Sequence, residues 1–269
     1  MTVLESIILG LVQGLTEFLP VSSSGHLVVT EKLLGLPPGN LRFIVAVHLG
    51  SLLAVLAVYR VQVGRLLKGI LCGRIRRKNG RWRFSNPDTR LALLLGVGTV
   101  PAAVFGYLFA SRIEEAFSQP RFVGFSLLVT GTVIFSLRFA RDRKGEPNFF
   151  RAILVGLAQA AAIFPGISRS GMTISAGVHS GIERTRAADF SFLLSIPIIL
   201  GAGLFKFLDD AGEGLPRAEI AVLLIGALAA AVSGYLAIRI LLRLIKKKKL
   251  HYFGYYCWLA GLAVLALTL

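Results

Sequence analysis

The sequence predicts an all-α integral membrane protein with six transmembrane helices, two re-entrant helix hairpins and an inverted-topology repeat. Of its 269 residues, 55% are hydrophobic and only 16% are charged, against about 25% charged residues in an ordinary soluble domain. A soluble globule of this size has too little interior to bury so much apolar surface. The apolar stretches are continuous rather than alternating, which favours membrane helices over the strands of a barrel.

Six apolar stretches are long enough to cross a bilayer, which takes about 17–25 residues of helix. They run over residues 43–59, 91–111, 122–138, 187–208, 218–238 and 250–269. Two further apolar stretches, 6–20 and 152–167, are shorter, and each ends in Pro, Gly and Ser instead of a charged residue. Short apolar segments that are interrupted by Gly and Pro are typical of broken or re-entrant helices.

The distribution of basic residues predicts the orientation in the membrane. The chain has 30 Lys and Arg against 14 Asp and Glu, a net charge of +16. Most of the basic residues fall in three loops, at 60–90, 138–151 and 239–249, and the spans between them allow all three loops to lie on one side. The positive-inside rule makes that side cytoplasmic. Because these loops have few aromatic residues to stack bases, we expect no nucleic-acid partner.

A fixed offset of 146 residues relates the two short apolar stretches. Both contain a Ser-x-Ser-Gly turn, Ser22 to Gly25 in the first and Ser168 to Gly171 in the second. Each half of the chain would hold one re-entrant hairpin and three spans. Because three is odd, the second half is inserted upside down relative to the first. The first repeat is expected at about residues 1–140 and the second at about 147–269, and together they form a single membrane domain over residues 1–269.

The two Ser-x-Ser-Gly turns predict an anion site. Each turn is expected to begin a new helix, near Gly25 and Gly171, and a helix N-terminus carries unpaired N–H groups and a partial positive charge. Two such termini that meet near the membrane midplane would bind an anion, above all a phosphate. The predicted substrate-binding residues are Ser22, Ser24, Gly25, Ser168, Ser170, Gly171 and Thr173.

Polar residues inside apolar segments are costly and usually functional. Gln13 and Glu17, four residues apart on one helical face, are expected to hold a hard divalent cation, Mg²⁺ or Ca²⁺, through oxygen. Arg169 in the second turn suits phosphate oxygens, which it binds as a bidentate fork. His26 after the first turn can move a proton near neutral pH. The predicted catalytic residues are Glu17, Ser23, His26 and Arg169.

The sequence leaves the nucleophile and some roles open. Ser23 or Ser22 could attack phosphorus, or a water bound to the metal could do so instead. A structural explanation is also open, in which Glu17 pairs with Arg169 and the serines only cap a helix. His48 lies in an apolar span and is a further candidate for the site.

Two stretches carry a resemblance to a known family. QGLTEFLPVSSSGH, from Gln13 to His26, is similar to a Glu/Gln-x-x-x-Glu motif followed by a Pro-Val-Ser-Ser-Ser/Thr-Gly-His turn. PGISRSGMT, from Pro165 to Thr173, is similar to a Pro-Gly-x-Ser-Arg-Ser-Gly-x-Thr box. Both motifs occur in the bacterial undecaprenyl-diphosphate phosphatases, also called bacitracin-resistance proteins. The chain resembles that family over its whole length.

The resemblance implies a function and a location. The family removes the terminal phosphate of undecaprenyl diphosphate, which recycles the carrier lipid for cell-wall synthesis. It works in the bacterial plasma membrane, requires a divalent cation and opens its active site to the extracytoplasmic side. The chain's partners would then be this lipid substrate, membrane lipid and, by analogy with relatives, a second copy in a homodimer. Gln13 stands where many relatives carry Glu, which weakens its case as a carboxylate ligand.

The expected mechanism is an in-line attack by Ser23 on the terminal phosphorus, with His26 as the base and Arg169 on the equatorial oxygens. Two rival functions are a transporter or lipid flippase, which inverted repeats also serve, and a phosphatase of the phosphatidic-acid type. The second rival needs a His four residues after the Arg, and this position is Thr173 here.

Overall fold

The computed structural model describes residues 1–37, 40–73, 75–78, 81–117, 119–209 and 217–268. Almost all regular structure in this part of the chain is helical. The α-helices are α1 (Val3–Phe18), α2 (Ser23–Leu33), α3 (Leu41–Val58), α4 (Arg60–Cys72), α5 (Pro87–Leu108), α6 (Ala110–Phe117), α7 (Pro120–Phe135), α8 (Phe149–Ala161), α9 (Arg169–His179), α10 (Arg184–Asp209), α11 (Arg217–Lys246) and α12 (Tyr252–Ala266). A short 3₁₀ turn, Ser136–Arg138, follows α7.

The prediction of an all-α chain is wrong in one place. The first basic loop contains an antiparallel hairpin of β1 (Ile75–Lys78) and β2 (Arg81–Phe84), with Ile75 opposite Phe84. Its strands carry Ile, Trp and Phe, which favour β structure. The sequence analysis read this loop only for its charge, and so it missed the hairpin.

In the part of the chain that the structure describes, five helices are long and apolar enough to cross a membrane, which makes the chain a multi-pass membrane protein. They lie at Leu41–Val58, Pro87–Leu108, Pro120–Arg138, Arg184–Leu204 and Glu219–Lys246. The sixth predicted span is shorter than expected, because α12 has only 15 residues. The two short apolar stretches form α1 and α8, of 16 and 13 residues, and each is followed by a turn and a second short helix.

Side chains at the helix starts explain where several elements begin. Thr2 and Glu5 form a capping box at α1, in which the Thr2 hydroxyl accepts from the Glu5 N–H and the Glu5 carboxylate accepts from the Thr2 N–H. Asn40, Asn86 and Asn148 accept hydrogen bonds from the first turns of α3, α5 and α8. Such caps satisfy N–H groups that have no partner within the helix.

The two short apolar helices pack in the same way on opposite halves of the chain. Helix α1 packs mainly against α11, and α8 packs against α5. A Cβ atom added to Gly10 would lie 2.3 Å from the carbonyl oxygen of Gly226, and one added to Gly156 would lie 2.5 Å from that of Gly98. Glycine is required at these contacts because each backbone lies directly against its neighbour. Gly10 and Gly156 are 146 residues apart.

Helices α7 and α12 also approach through glycines. A Cβ on Gly131 would lie 2.8 Å from the carbonyl oxygen of Gly254, and one on Gly261 would lie 2.8 Å from that of Gly124. Small residues of this kind let membrane helices pack closely without a hydrophobic driving force between them. This pair brings α12, from the end of the chain, beside α2 and the first Ser-x-Ser-Gly turn.

Candidate active site

The two Ser-x-Ser-Gly turns are built alike. Ser22 precedes α2, and its hydroxyl accepts a hydrogen bond from the Gly25 N–H at 3.3 Å. Ser168 precedes α9, and its hydroxyl accepts from the Gly171 N–H at 3.1 Å. In both turns the hydroxyl of the serine two residues further along, Ser24 or Ser170, lies within 3.3 Å of this hydroxyl. Both turns therefore begin a helix where the sequence places one, at Ser23 and Arg169.

The first turn carries backbone strain that the second avoids. Ser22 has φ 69° and ψ 98°, a region that side chains rarely adopt, whereas Ser168 has φ −74°. The second turn places its positive φ on Gly166, at 87°. A non-glycine residue held in such a conformation costs roughly 1–3 kcal/mol and is concentrated at functional sites. The strain therefore marks the first turn as the chemically distinct one.

An ion pair joins the two halves of the chain at the turns. The Arg169 guanidinium, at the start of α9, donates through Nη2 to Oε1 of Glu17 in the last turn of α1. Its Nη1 donates to the carbonyl of Ser191 at 3.4 Å. The side chains of Glu17 and Arg169 are only 7% and 15% exposed. The structure thus brings a carboxylate and a guanidinium from the two turns into direct contact within a largely buried site.

The second oxygen of Glu17 has three polar neighbours. Ser23 donates its hydroxyl proton to Oε2 at 2.6 Å, and the Gln13 amide donates to the same oxygen at 3.1 Å. Nε2 of His48, on α3, lies 3.7 Å from it. The Ser23 proton therefore points at a carboxylate, which is the arrangement of a nucleophile and its base.

His26 is held away from Ser23. Its Nδ1 lies 2.8 Å from the carbonyl oxygen of Ser22, and its Nε2 lies 2.7 Å from the hydroxyl of Tyr256. The His26 and Tyr256 rings are nearly parallel, at 11° with centroids 5.7 Å apart. Because a carbonyl can only accept, Nδ1 carries the proton and Nε2 accepts from Tyr256. The expected Ser23–His26 pair is replaced by Ser23–Glu17, since His26 lies one turn beyond Ser22 and its ring bends back to that carbonyl.

Several predicted substrate-binding hydroxyls are engaged in holding the turns. Thr173 donates to the carbonyl of Arg169 at 2.7 Å and lies 2.6 Å from the Ser191 hydroxyl. Ser170 donates to the carbonyl of Leu19 at 3.3 Å. Ser23, Ser24, His26 and Arg169 are half-buried, whereas the buried members of the predicted site are Ser22, Gly25, Ser168, Ser170, Gly171 and Thr173.

The sequence analysis missed Tyr256 and Ser191. Tyr256 lies in an apolar helix 230 residues from His26, and no local pattern links the two. Ser191 lies seven residues after the start of α10, and the sequence analysis assigned it no role in the site. The sequence offered His48 only as a further candidate. It lies beside Glu17 because α3 packs against α1.

The residues around Glu17 fit a divalent cation that is also bound by substrate. Gln13 is fully buried, and its Oε1 has no hydrogen-bond partner. Buried oxygens of this kind are rare unless a ligand or ion satisfies them. Within the described ranges no three His, Cys, Asp or Glu side chains cluster as a closed metal site. An open set of one carboxylate oxygen and one amide oxygen is able to hold a divalent cation whose remaining ligands are phosphate oxygens and water.

Comparison with known proteins agrees with the resemblance in the sequence. The family model described as bacitracin resistance protein BacA matches residues 6–263. The chain is 43% identical to an undecaprenyl-diphosphatase of Methanobrevibacter smithii, covering 98% of this chain and 97% of the relative. It is 41% identical to one of Alkaliphilus metalliredigens over all of both chains, and 42% identical to one of Rubrobacter xylanophilus over 99% and 98%. The chain therefore belongs to the bacitracin resistance protein BacA family.

Proposed function

We propose that this chain is an undecaprenyl-diphosphate phosphatase. It hydrolyses the terminal phosphate of undecaprenyl diphosphate to give undecaprenyl phosphate and inorganic phosphate, which returns the carrier lipid to cell-wall synthesis. The names of its relatives support this activity. The observation that carries it is the contact of Arg169 and Ser23 with opposite oxygens of Glu17, in a buried site among apolar helices. A lipid tail can stay in the bilayer while the diphosphate enters such a site.

The proposed topology has six transmembrane helices, counting α12, and two re-entrant hairpins, α1–α2 and α8–α9. The halves, at about 1–140 and 147–269 of one membrane domain, form an inverted repeat. The matched glycine contacts of α1 with α11 and of α8 with α5 support it, because an inverted repeat makes each contact twice. The matched serine caps of α2 and α9 support it as well.

The proposed location is the bacterial plasma membrane, with the basic loops on the cytoplasmic side. The excess of Lys and Arg in these loops supports it. His48, which lies beside Glu17, is twelve residues before the basic residue Arg60 on the chain, so the site lies within the apolar layer. The active site would then open to the extracytoplasmic side, where the diphosphate product of wall assembly is released.

In the proposed reaction, Ser23 Oγ attacks the terminal phosphorus while its proton passes to Glu17 Oε2. The bond from phosphorus to the bridging oxygen breaks, and undecaprenyl phosphate leaves with the bonding electrons. Arg169 stabilises the negative charge on the equatorial oxygens. Water then hydrolyses the phosphoserine, and Ser23 regains its proton from Glu17. His26, which Tyr256 holds in one tautomer, is proposed to accept the proton of that water once its Nε2 is released from the Tyr256 hydroxyl. Direct attack by water is the alternative.

Glu17 and Gln13 are proposed to hold the divalent cation, Mg²⁺ or Ca²⁺. When bound, this cation would neutralise part of the diphosphate charge, which is otherwise costly to bring to membrane depth. The helix N-termini at Ser23 and Arg169 contribute in the same direction.

The test is phosphate release from undecaprenyl diphosphate by the purified protein in detergent. Arg169→Ala should lower kcat at least about a hundredfold, the usual loss when one charge-stabilising donor is removed. Arg169→Lys, which keeps the charge without the fork, should lose less. Arg121→Ala is the matched control, because Arg121 binds the carbonyl of Thr268 at an exposed position.

Wild-type turnover in folded Arg169→Ala would contradict the mechanism. No phosphate release by the wild type with any divalent cation, Mn²⁺ included, would contradict the phosphatase and favour transport of the same lipid. Thermal unfolding of each variant in detergent shows whether the fold is kept.

A further inference from the structure

We propose that His48 is a nitrogen ligand of the divalent cation in this chain, and that the site therefore prefers a transition-metal ion such as Mn²⁺ over Mg²⁺ and Ca²⁺. The inference rests on the proposed cation and deepens it. His48 lies on α3, outside the two sequence motifs that contain Gln13 and Arg169.

The ring of His48 is oriented as a ligand. Its Nδ1 lies 2.7 Å from the carbonyl oxygen of Ile44, to which only a protonated nitrogen can donate. Nε2 then carries the lone pair, and it lies on the side of Glu17. A metal-binding histidine almost always donates its other ring N–H to a carbonyl or carboxylate in this way, which fixes the tautomer.

The distance from His48 Nε2 to Glu17 Oε2 is slightly longer than that between two ligands of one ion. The Nε2 atom of His48 lies 3.7 Å from Oε2, which is too long for a hydrogen bond. Two atoms bound to one ion at about 2.1 Å lie about 3.0 Å apart at a right angle and about 3.4 Å apart at a tetrahedral angle. The His48–Glu17 distance needs to shorten by only a few tenths of an ångström to reach this range.

Gln13 provides the third position. Its amide nitrogen lies 3.1 Å from Glu17 Oε2, while its oxygen is buried without a partner. A half-turn of the amide exchanges the two atoms and places the oxygen at a ligand-to-ligand distance from Oε2. The set is then one carboxylate oxygen, one amide oxygen and one imidazole nitrogen, and phosphate oxygens and water complete it.

This ligand set determines the preference. Mg²⁺ and Ca²⁺ favour sites made only of oxygen, and a neutral amide in place of a second carboxylate weakens their binding. Imidazole nitrogen favours first-row transition ions, whose affinities rise along the series from Mn²⁺ onward. The alternative is that His48 is protonated and forms an ion pair with Glu17, which would repel a cation instead of binding it.

Pulsed electron paramagnetic resonance on the full-length protein with Mn²⁺ alone separates the two explanations. Wild-type protein should show coupling of bound Mn²⁺ to a ¹⁴N nucleus, which should change to a ¹⁵N pattern when the four histidines are labelled with ¹⁵N. His48→Gln should lose the nitrogen coupling and bind Mn²⁺ at least about tenfold more weakly. Because the new amide oxygen suits hard ions, Ca²⁺ binding should change less than about threefold.

His179→Gln is the matched control, because Nε2 of His179 lies 2.8 Å from the Ser136 hydroxyl, away from Glu17. It should keep the nitrogen coupling. Bound Mn²⁺ without nitrogen coupling in the wild type, or coupling that persists in His48→Gln, would overturn the inference. Neither result would contradict the proposed phosphatase activity, which is measured separately as phosphate release. Failure of the wild type to bind Mn²⁺ would overturn the inference too. The labelled wild type needs no variant, so poor folding of His48→Gln does not affect the result.

Discussion

The two carboxylate oxygens of Glu17 bind different partners in the site. Oε1 of Glu17 accepts a hydrogen bond from Arg169, and Oε2 accepts one from Ser23, so a single buried side chain contacts both the proposed charge-stabilising group and the proposed nucleophile. A buried carboxylate is costly unless it is paired and hydrogen-bonded. The pairing with Arg169 therefore allows Glu17 to stay charged and to act as a base.

Tyr256 is expected to position His26, so loss of the Tyr256 hydroxyl should change the tautomer and orientation of the His26 ring. Tyr256→Phe removes the proton donor to Nε2 and should release the ring from a single tautomer. We expect kcat to fall about tenfold, less than the roughly hundredfold or greater loss that follows removal of an acid–base group itself, with a smaller change in KM and a displaced pH profile. ¹⁵N spectra of the labelled histidines, assigned with His26→Gln, report the tautomer directly.

Tyr255→Phe is the control for that experiment. Tyr255 is on the same helix, but its ring contacts Phe135 and Trp258 instead of His26. An equal effect of both substitutions on activity, with His26 in an unchanged tautomer, would show that Tyr256 only packs.

The elements around the site are short helices that begin at serine caps. The sequence predicted both starts, since Ser-x-Ser-Gly supplies a side-chain acceptor and room for the first turn. It did not predict that the two turns differ. In the first turn the residue at positive φ is Ser22, whereas its counterpart Ser168 has φ −74° and the positive φ of the second turn falls on Gly166, two residues earlier.

That difference predicts that a serine-to-glycine substitution changes the free energy of unfolding by different amounts in the two turns. Ser22→Gly loses the cap but relieves the positive φ, so its free energy of unfolding should change by less than about 1 kcal/mol. Ser168→Gly loses the cap at a φ that suits serine and adds chain entropy to the unfolded state. It should therefore destabilise the protein by about 1 kcal/mol or more. Unfolding in detergent measures both, and an equal or reversed order would show that Ser22 is unstrained.

At the scale of the whole molecule, the two halves are held together by backbone contacts at glycines and by the Glu17–Arg169 pair. Membrane helices gain little from the hydrophobic effect between them, so close packing supplies much of their association energy. The halves must therefore be fitted closely before the two turns can form one site.

Gly10→Ala tests this fit. The added Cβ would lie 2.3 Å from the carbonyl oxygen of Gly226, so α1 must move away from α11. We expect a loss of about 2 kcal/mol of stability or more, together with reduced phosphate release. Gly96→Ala is the control, since a Cβ there meets nothing within 4 Å. Equal stability of both variants would show that the α1–α11 contact is loose.

The sequence by itself determined the membrane class, most of the spans, the two capped turns and three residues that the turns bring into contact, Glu17, Ser23 and Arg169. These follow from composition and from patterns a few residues long, which act through local geometry and hydration. Only the tertiary structure decided that Ser23 bonds to Glu17 instead of His26, and that Tyr256 and His48 join the site. The contacts of Tyr256 and His48 join residues on helices far apart in the chain, and even the bond of Ser23, six residues from Glu17, depends on how the turn folds back. Such contacts arise when packing sets side-chain directions, and no local pattern carries that information.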